Sequence, residues 1–285
     1  MIEMVGAKKS YSVRAIGIIT LVLFILVPLA YMVLISLTPN SQIGASFFPA
    51  KVAWYNYLRM WQTIHLARDL RNSLVIAGGT GIFATIVAFG AAYVLARFKF
   101  RGRTPFIYGL IMMQTVPSVM LLLPLFVVIV VIQNVLNLVM VGTYYTVILT
   151  YMTFALPFAT WLLLSYLSNV PTDLEEAALV DGASRFQTLR KVVLPIMLPG
   201  LVVTFVFSFL LAWSDVLFAS VLTVSRTRTL AVGLQAYVAS GQSGGSVLWG
   251  QLMAASLMSE IPIVAIFLIV QRYIVSGLTS GAVKG

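Results

Sequence analysis

The sequence predicts an all-α, polytopic membrane protein with six transmembrane helices, and three observations carry that prediction. First, 60% of the 285 residues are hydrophobic and only 9% are charged, with a mean hydropathy of +1.01. A soluble domain is about 45–50% apolar and about 25% charged, so this chain has too few charges to cover a surface facing water. Second, the apolar residues fall in long uncharged runs, and the bilayer is the solvent that accepts such runs. Third, the net charge of +10 sits in short clusters between those runs. That is the pattern of topology signals, not of a nucleic-acid footprint, so no nucleic-acid partner is expected. There are no cysteines, which removes disulfides, thiol chemistry and Cys-based metal sites.

The spans follow in order. Ile16 to Leu37 is uncharged and crosses about 30 Å of hydrocarbon at about 1.5 Å per residue. It is longer than the apolar core of a signal peptide and no A-x-A site follows it, so an uncleaved span is expected. Asn72 to Ala96 is the second run. From Thr104 to Thr172 there is no ionisable Asp, Glu, Lys, Arg or His. That length suits two spans, with the polar stretch Gln133-Asn134, Asn137 and Gly142-Thr143 as the hairpin between them. A fifth run extends from Val192 to Val224 and holds one acid, Asp215. The sixth holds one acid, Glu260, in a helix expected from Gly250 to Tyr273. It is preceded by the segment from Ser240 to Ser246, too polar and Gly-rich for lipid. Prolines 28, 117, 124, 157, 199 and 262 lie inside spans, where each removes a backbone donor and bends its helix.

Six spans put both termini on one side, and Lys and Arg decide which side that is. The side of the N-terminus holds Lys8, Lys9, Arg14, Arg97, Lys99, Arg101, Arg103, Arg185, Arg190, Lys191, Arg272 and Lys284. The other holds Lys51, Arg59, Arg68, Arg71, Arg226 and Arg228. Both termini are therefore expected in the cytoplasm. The expected division is a cytoplasmic N-terminus over 1–15, a six-helix membrane domain over 16–273 and a cytoplasmic tail over 274–285.

One cytoplasmic loop, 168–195, is more than a connector. It holds four of the eight acids: Asp173, Glu175, Glu176 and Asp181. Thr172-x-x-Glu175 reads as a capping box opening one short helix, with acids at the positive end of its dipole. Gly182 suits the left-handed residue that closes it. Ser184-x-x-Gln187 reads as a second capping box, and Pro195 marks the junction with the fifth span. Ala177 and Ala178 offer a small-residue face, while Phe186, Leu189 and Val193 recur at helical spacing. The residues alone allow either an amphipathic loop lying on the membrane or a docking element for a cytoplasmic partner.

Here the sequence resembles the membrane subunits of ATP-binding-cassette (ABC) importers. Their E-A-A, three residues, G, nine residues, I-x-L-P pattern is matched by Glu176-Ala177-Ala178, Gly182 and Val192-x-Leu194-Pro195, with Val in place of Ile. Asn72-Ser73 and the stretch Ala91 to Phe98 are similar to the same family. The C-terminus from Gln271 to Gly285 resembles its carbohydrate branch, in particular the smaller six-span subunit of maltose-permease type. The likeness covers most of the chain from the second span onward. The segment from Thr38 to Leu70 matches loosely, and Glu260 departs from the usual apolar residue.

The resemblance implies the type I importer permease fold and a translocation path for a sugar or related solute. The implied partners are a second permease subunit in a heterodimer, two cytoplasmic ATP-binding subunits and an extracytoplasmic solute-binding protein. It also implies that Glu175, Glu176, Ala177, Ala178, Asp181, Gly182, Phe186, Leu194 and Pro195 form the coupling loop. No G-x-x-x-x-G-K-[ST] phosphate loop is present, so ATP hydrolysis belongs to a partner. No catalytic constellation, cofactor site or metal site is recognisable, and the lone His65 reads as a surface or packing residue. The substrate path is expected near Trp213, Ser214 and Asp215, where an aromatic adjoins two hydrogen-bonding groups, and near Glu260. Intramembrane acids mark such paths, although capping or structural pairing is the competing role for both. An ion-coupled secondary transporter is the alternative class. It predicts paired mid-membrane charges and related halves, and transport independent of ATP.

Overall fold

A computed structural model of the protein describes residues 2–45, 47–242 and 247–282. The helices are α1 (Ile2–Ser36), α2 (Tyr55–Thr63), α3 (Leu66–Arg97), α4 (Arg103–Met113), α5 (Leu122–Leu136) and α6 (Tyr144–Ser168). They continue with α7 (Asp173–Val180), α8 (Arg185–Thr188), α9 (Leu194–Ser214), α10 (Leu217–Leu222), α11 (Leu230–Gln242) and α12 (Trp249–Ala282). No strand occurs among the described residues. Among the described residues, six segments are long and apolar enough to cross a bilayer: Ile16–Ser36, Leu66–Arg97, Ser118–Leu136, Tyr144–Ser168, Arg185–Ser214 and Trp249–Tyr273. This agrees with the six expected spans. Residues 243–246 of the polar segment before the sixth span, and the last three residues of the tail, lie outside the described residues.

Five boundaries differ from the sequence reading, the simplest being that α3 starts at Leu66 and not at Asn72. The third span is broken. The last turn of α4 tightens as the Gln114 N–H bonds Ile111 O and the Thr115 N–H bonds Met112 O. Pro117 then stands extended (φ −60°, ψ 121°) before a 3-10 turn, Ser118–Leu121. Proline supplies no donor and pushes its predecessor out of helix, so Pro117 ends one helix rather than bending a continuous one. The fifth span stops at Ser214 because Asp215 is extended (ψ 134°) and opens α10. α12 runs past the expected boundary at Tyr273 to Ala282, and α1 joins the expected N-terminal segment and the first span in one helix. The expected hairpin between the third and fourth spans is present. The Gln133 side chain accepts from the Met140 and Val141 N–H groups at 2.9 and 3.0 Å, and Asn137 and Gly142 take positive φ.

The chain divides into two compact units, one of residues 1–66 and 236–260, the other of residues 67–235 and 261–285. In the first, buried Asn56 ties α2 to the end of α1. Its amide donates to Ser36 O and Thr38 O at 2.9 and 3.2 Å, and Tyr57 and Ser36 share a hydroxyl–hydroxyl bond of 2.7 Å. Asn40 accepts from the Trp249 N–H at 2.9 Å.

In the second unit, α6 packs along α9 and is joined by α3. The core there is Ala88, Phe89, Ala92, Ala159, Leu163, Leu167, Val193 and Met197. Lipid tails are as apolar as Leu, so close van der Waals contact drives this packing, and small residues permit it. Gly200 is the clearest instance. A Cβ there would stand 2.9 Å from the Tyr166 ring.

Candidate functional site

The elbow between α6 and α9 is built from the backbone up. α7 closes in a Schellman motif, with the Ala183 N–H on Ala178 O (3.0 Å) and the Gly182 N–H on Leu179 O (3.1 Å). That geometry requires the left-handed residue the sequence supplies, Gly182 at φ +85°. α8 opens with the expected reciprocal box. The Ser184 N–H donates to Gln187 Oε1 at 2.7 Å and the Gln187 N–H to Ser184 Oγ at 3.3 Å. A single π turn, Leu189–Val193, then feeds α9, whose second residue is Pro195.

The other expected capping box does not form. Thr172 is itself helical and its side chain caps nothing. The reason lies across the fold. The Glu175 carboxylate accepts from Arg97 Nε at 2.7 Å and from the Tyr93 hydroxyl at 3.0 Å, which draws it away from the Thr172 N–H. Arg97 also donates to Val170 O at 3.0 Å. Arg185 lies over the Phe98 ring, 5.8 Å from its centre. The elbow is thus held to the end of α3 by a nearly dry ion pair, both of its side chains being only 10–12% exposed.

The rest of the elbow faces outward. Glu176, Ala177, Asp181, Gly182 and Pro195 are exposed and Ala178 is half-buried. Among its apolar side chains, Val180 is 87% and Phe186 70% exposed, with Leu174, Leu179 and Leu194 less so. Glu175 is therefore separated from the other eight residues of the expected coupling loop. It is the root of the elbow and they are its surface.

Of the residues expected along a substrate path, Trp213, Ser214 and Asp215 form no open wall, and Glu260 belongs to the other compact unit. Asp215 Oδ1 accepts from the Phe218 and Ala219 N–H groups at 3.0 and 3.1 Å and from the Tyr151 hydroxyl at 2.7 Å. From the position before the N-cap residue Val216, its side chain caps the first turn of α10 and is bound to α6 as well. Trp213 is buried and stacked on Phe209 at 5.4 Å, so it offers no free platform. Ser214 is exposed and returns its hydroxyl to Leu210 O. Glu260 is exposed on α12, with no hydrogen bond or ion pair among the described residues. A cleft of about 390 Å³ lies instead at the break in the third span. Gln114, Ser118 and Thr153 line it with Phe154, Phe158 and Phe207. Its only advance signal was Pro117 beside Gln114.

A second polar cluster, missed in the sequence, lies at the other end of α3. Asp69 is fully buried and paired with Arg228 Nη2 at 2.7 Å, and also with Arg68 at 3.3 Å. Asn72 donates to Arg226 O and Arg228 O at 3.1 and 2.8 Å and accepts from the Tyr144 hydroxyl at 2.7 Å. Ser73 accepts from the Leu230 N–H at 2.8 Å.

Comparison with known proteins agrees with this architecture. Residues 82–280 match the family described as "Binding-protein-dependent transport system inner membrane component". The chain is 36% identical over 277 residues to the trehalose/maltose transport system permease protein MalG of Thermococcus litoralis, covering 95% of each chain. It is also 36% identical over 264 residues to the trehalose transport system permease protein SugB of Mycobacterium tuberculosis, covering 92% of this chain and 93% of that one. Among solved structures, a bacterial ABC transporter that imports the acidic polysaccharide alginate superposes with a TM-score of 0.75 at 20% identity, over 92% of this chain and 95% of the other. That likeness shows the fold. Six spans, the matched family profile and full-length relatives that are permeases together establish that this chain belongs to the family of binding-protein-dependent transport system inner membrane components, as a multi-pass permease subunit of an ABC importer.

Proposed function

We propose that this subunit forms part of a membrane path for a sugar of the trehalose or maltose class. An extracytoplasmic binding protein delivers the sugar, and ATP hydrolysis on separate subunits drives its passage. The complete assembly comprises this chain, a second permease subunit and two ATP-binding subunits. Both termini and the elbow lie in the cytoplasm, where basic residues concentrate. The membrane domain spans 16–273, with the helical continuation to Ala282 beneath it.

The observation that carries the reading is the elbow itself. It has a stiff, doubly capped backbone, a buried root and an exposed apolar tip of Val180 and Phe186. Exposed apolar side chains on a rigid protrusion mark a protein contact. The small side chains of Ala177 and Ala178 allow a partner to come close, and Glu176 and Asp181 offer it charge. The solute's contacts fall on the cleft at the break in the third span, where amide, hydroxyl and aromatic groups converge at a discontinuous helix. Asp215 and Trp213 support the shape of that region from behind.

The test uses a photo-cross-linker in place of Phe186 in membranes carrying the assembled importer. The expected product joins this chain to the ATPase subunit. Gly182→Val, which forces a β-branched residue to positive φ at about 1–3 kcal/mol, should abolish uptake of radiolabelled trehalose and maltose while insertion persists. Normal uptake in that variant, or a cross-link to lipid alone, would remove the elbow from coupling. Cysteines replacing Gly102 and Ser184 should react only from the cytoplasmic side, and one replacing Trp54 only from outside.

A further inference from the structure

Helix α3 is pinned at both ends by ion pairs. At one end Arg97 holds Glu175 of the elbow at 2.7 Å, with Tyr93 on the second carboxylate oxygen. At the other, Asp69 holds Arg228 at 2.7 Å, and Asn72 and Ser73 bind the backbone of residues 226, 228 and 230. Asp69 and Arg97 are 28 residues apart on one helix, about 42 Å at 1.5 Å per residue. Each charge stands at the end of α3 that its sign favours, the acid near the N-terminus and the base at the C-terminus. At each fastening at least one side chain is buried, although Arg228 is 24% exposed. Asp69 is 0% exposed, and the two partners at the elbow end are 12% and 10% exposed.

Between the fastenings α3 makes two close approaches to its neighbours. A Cβ on Gly79 would stand 2.7 Å from Ile148, and one on Gly81 would stand 2.8 Å from the Phe205 ring. Contacts this close couple α3 to α6 and α9 at those positions, and packed interiors transmit strain.

We propose that Arg97 and Glu175 are positioning residues that make α3 a relay. Movement of the elbow is carried along α3 to Asp69, and so to the loop 223–229 ahead of α11. The inference rests on the elbow being the contact for the ATPase. Its physical content is a pair of charge-assisted bonds, each costly to leave half-made when buried, joined by an element that resists compression. Severing either bond should disconnect the same relay, so the two losses should not multiply.

The test exploits the absence of native cysteines. Exposed Ser225 is replaced by cysteine, and its maleimide labelling rate is measured in the assembled importer with and without a non-hydrolysable ATP analogue. In the otherwise unaltered chain the analogue should change that rate by about fivefold or more, the lower range of ordinary coupling. Arg97→Gln, Glu175→Gln and Asp69→Asn should each cut the change severalfold while leaving a measurable remainder. Combining Arg97→Gln with Asp69→Asn should do no more than either alone. Arg97→Glu together with Glu175→Arg should restore part of it. Tyr93→Phe, which removes one hydroxyl and leaves the ion pair, should give an intermediate response and covers the case in which a charge variant does not insert. The Phe186 cross-link to the ATPase is the control in every sample. Its absence from the unaltered chain overturns the elbow reading. If the cross-link is present, an unresponsive position 225, a response undiminished by Arg97→Gln, or multiplying losses overturns the relay.

Discussion

Two spans of similar apolar character, α6 and the segment that ends in α5, are treated differently by the fold. Ser118–Leu136 has the higher mean hydropathy, 2.7 against 1.8 for Tyr144–Ser168, yet 6% of its most apolar stretch is buried against 44% for α6. In α6 the buried positions include the small or hydroxylated Thr146, Thr150, Tyr151, Ala155, Ala159 and Thr160 beside Val147, Leu163 and Leu167. In α5 only Ile129 is buried, while Val127, Val128, Val131 and Val135 are exposed. In water the most apolar helix takes the core. Here lipid or a partner subunit accepts it, and the interior goes to residues that let backbones approach and hydroxyls bond.

That contrast can be broken by substitution, and the largest effect should come from the polar interior. Asp69→Ala removes a fully buried acid from Arg228 and Arg68, which are 24% and 41% exposed, and should cost about 2–3 kcal/mol, the upper range for hydrogen bonds to charged groups. It would be read as early loss of the monodisperse chain on heating in detergent. Ala159→Phe adds a ring where the exposure is 0% and should cost about 1–3 kcal/mol by overpacking. The same ring introduced by Val128→Phe on α5 should leave the isolated chain unchanged, and equal losses from the two would refute the contrast. Asp215→Ala removes a cap and should cost about 1 kcal/mol, whereas Asp215→Asn keeps a good capping group and should cost less. Val128→Ala should fall within about 0.5 kcal/mol.

The sequence disclosed those features that depend on neighbours along the chain. Six spans followed from charge-free length. The closure of α7 followed from Gly182, and the opening of α8 from Ser184 and Gln187. It misled where a distant residue competes for the same atom. Thr172 and Glu175 have the spacing of a capping box, but Arg97, 78 positions away, takes the carboxylate. Asp215 was visible as an unusual acid, yet its binding to Tyr151, 64 positions away, was not. Arg228 counts only as one loop charge among several and nothing nearby singles out Asp69, because 159 positions separate them. The break at Pro117 was hidden because Gln114 and Thr115 are too few and too weakly polar to interrupt an apolar run.

The π turn at Leu189–Val193 sets the phase of the elbow. Such a turn holds one residue more than the α turn it interrupts, and each residue advances a helix by about 100°. Deleting Arg190 would let the turn revert to α-helical bonding and would swing everything before it about a quarter-circle around the axis of α9. Phe186 and Val180 would then point in a new direction with every cap intact. The aim of the protrusion is thus indexed by a single inserted residue.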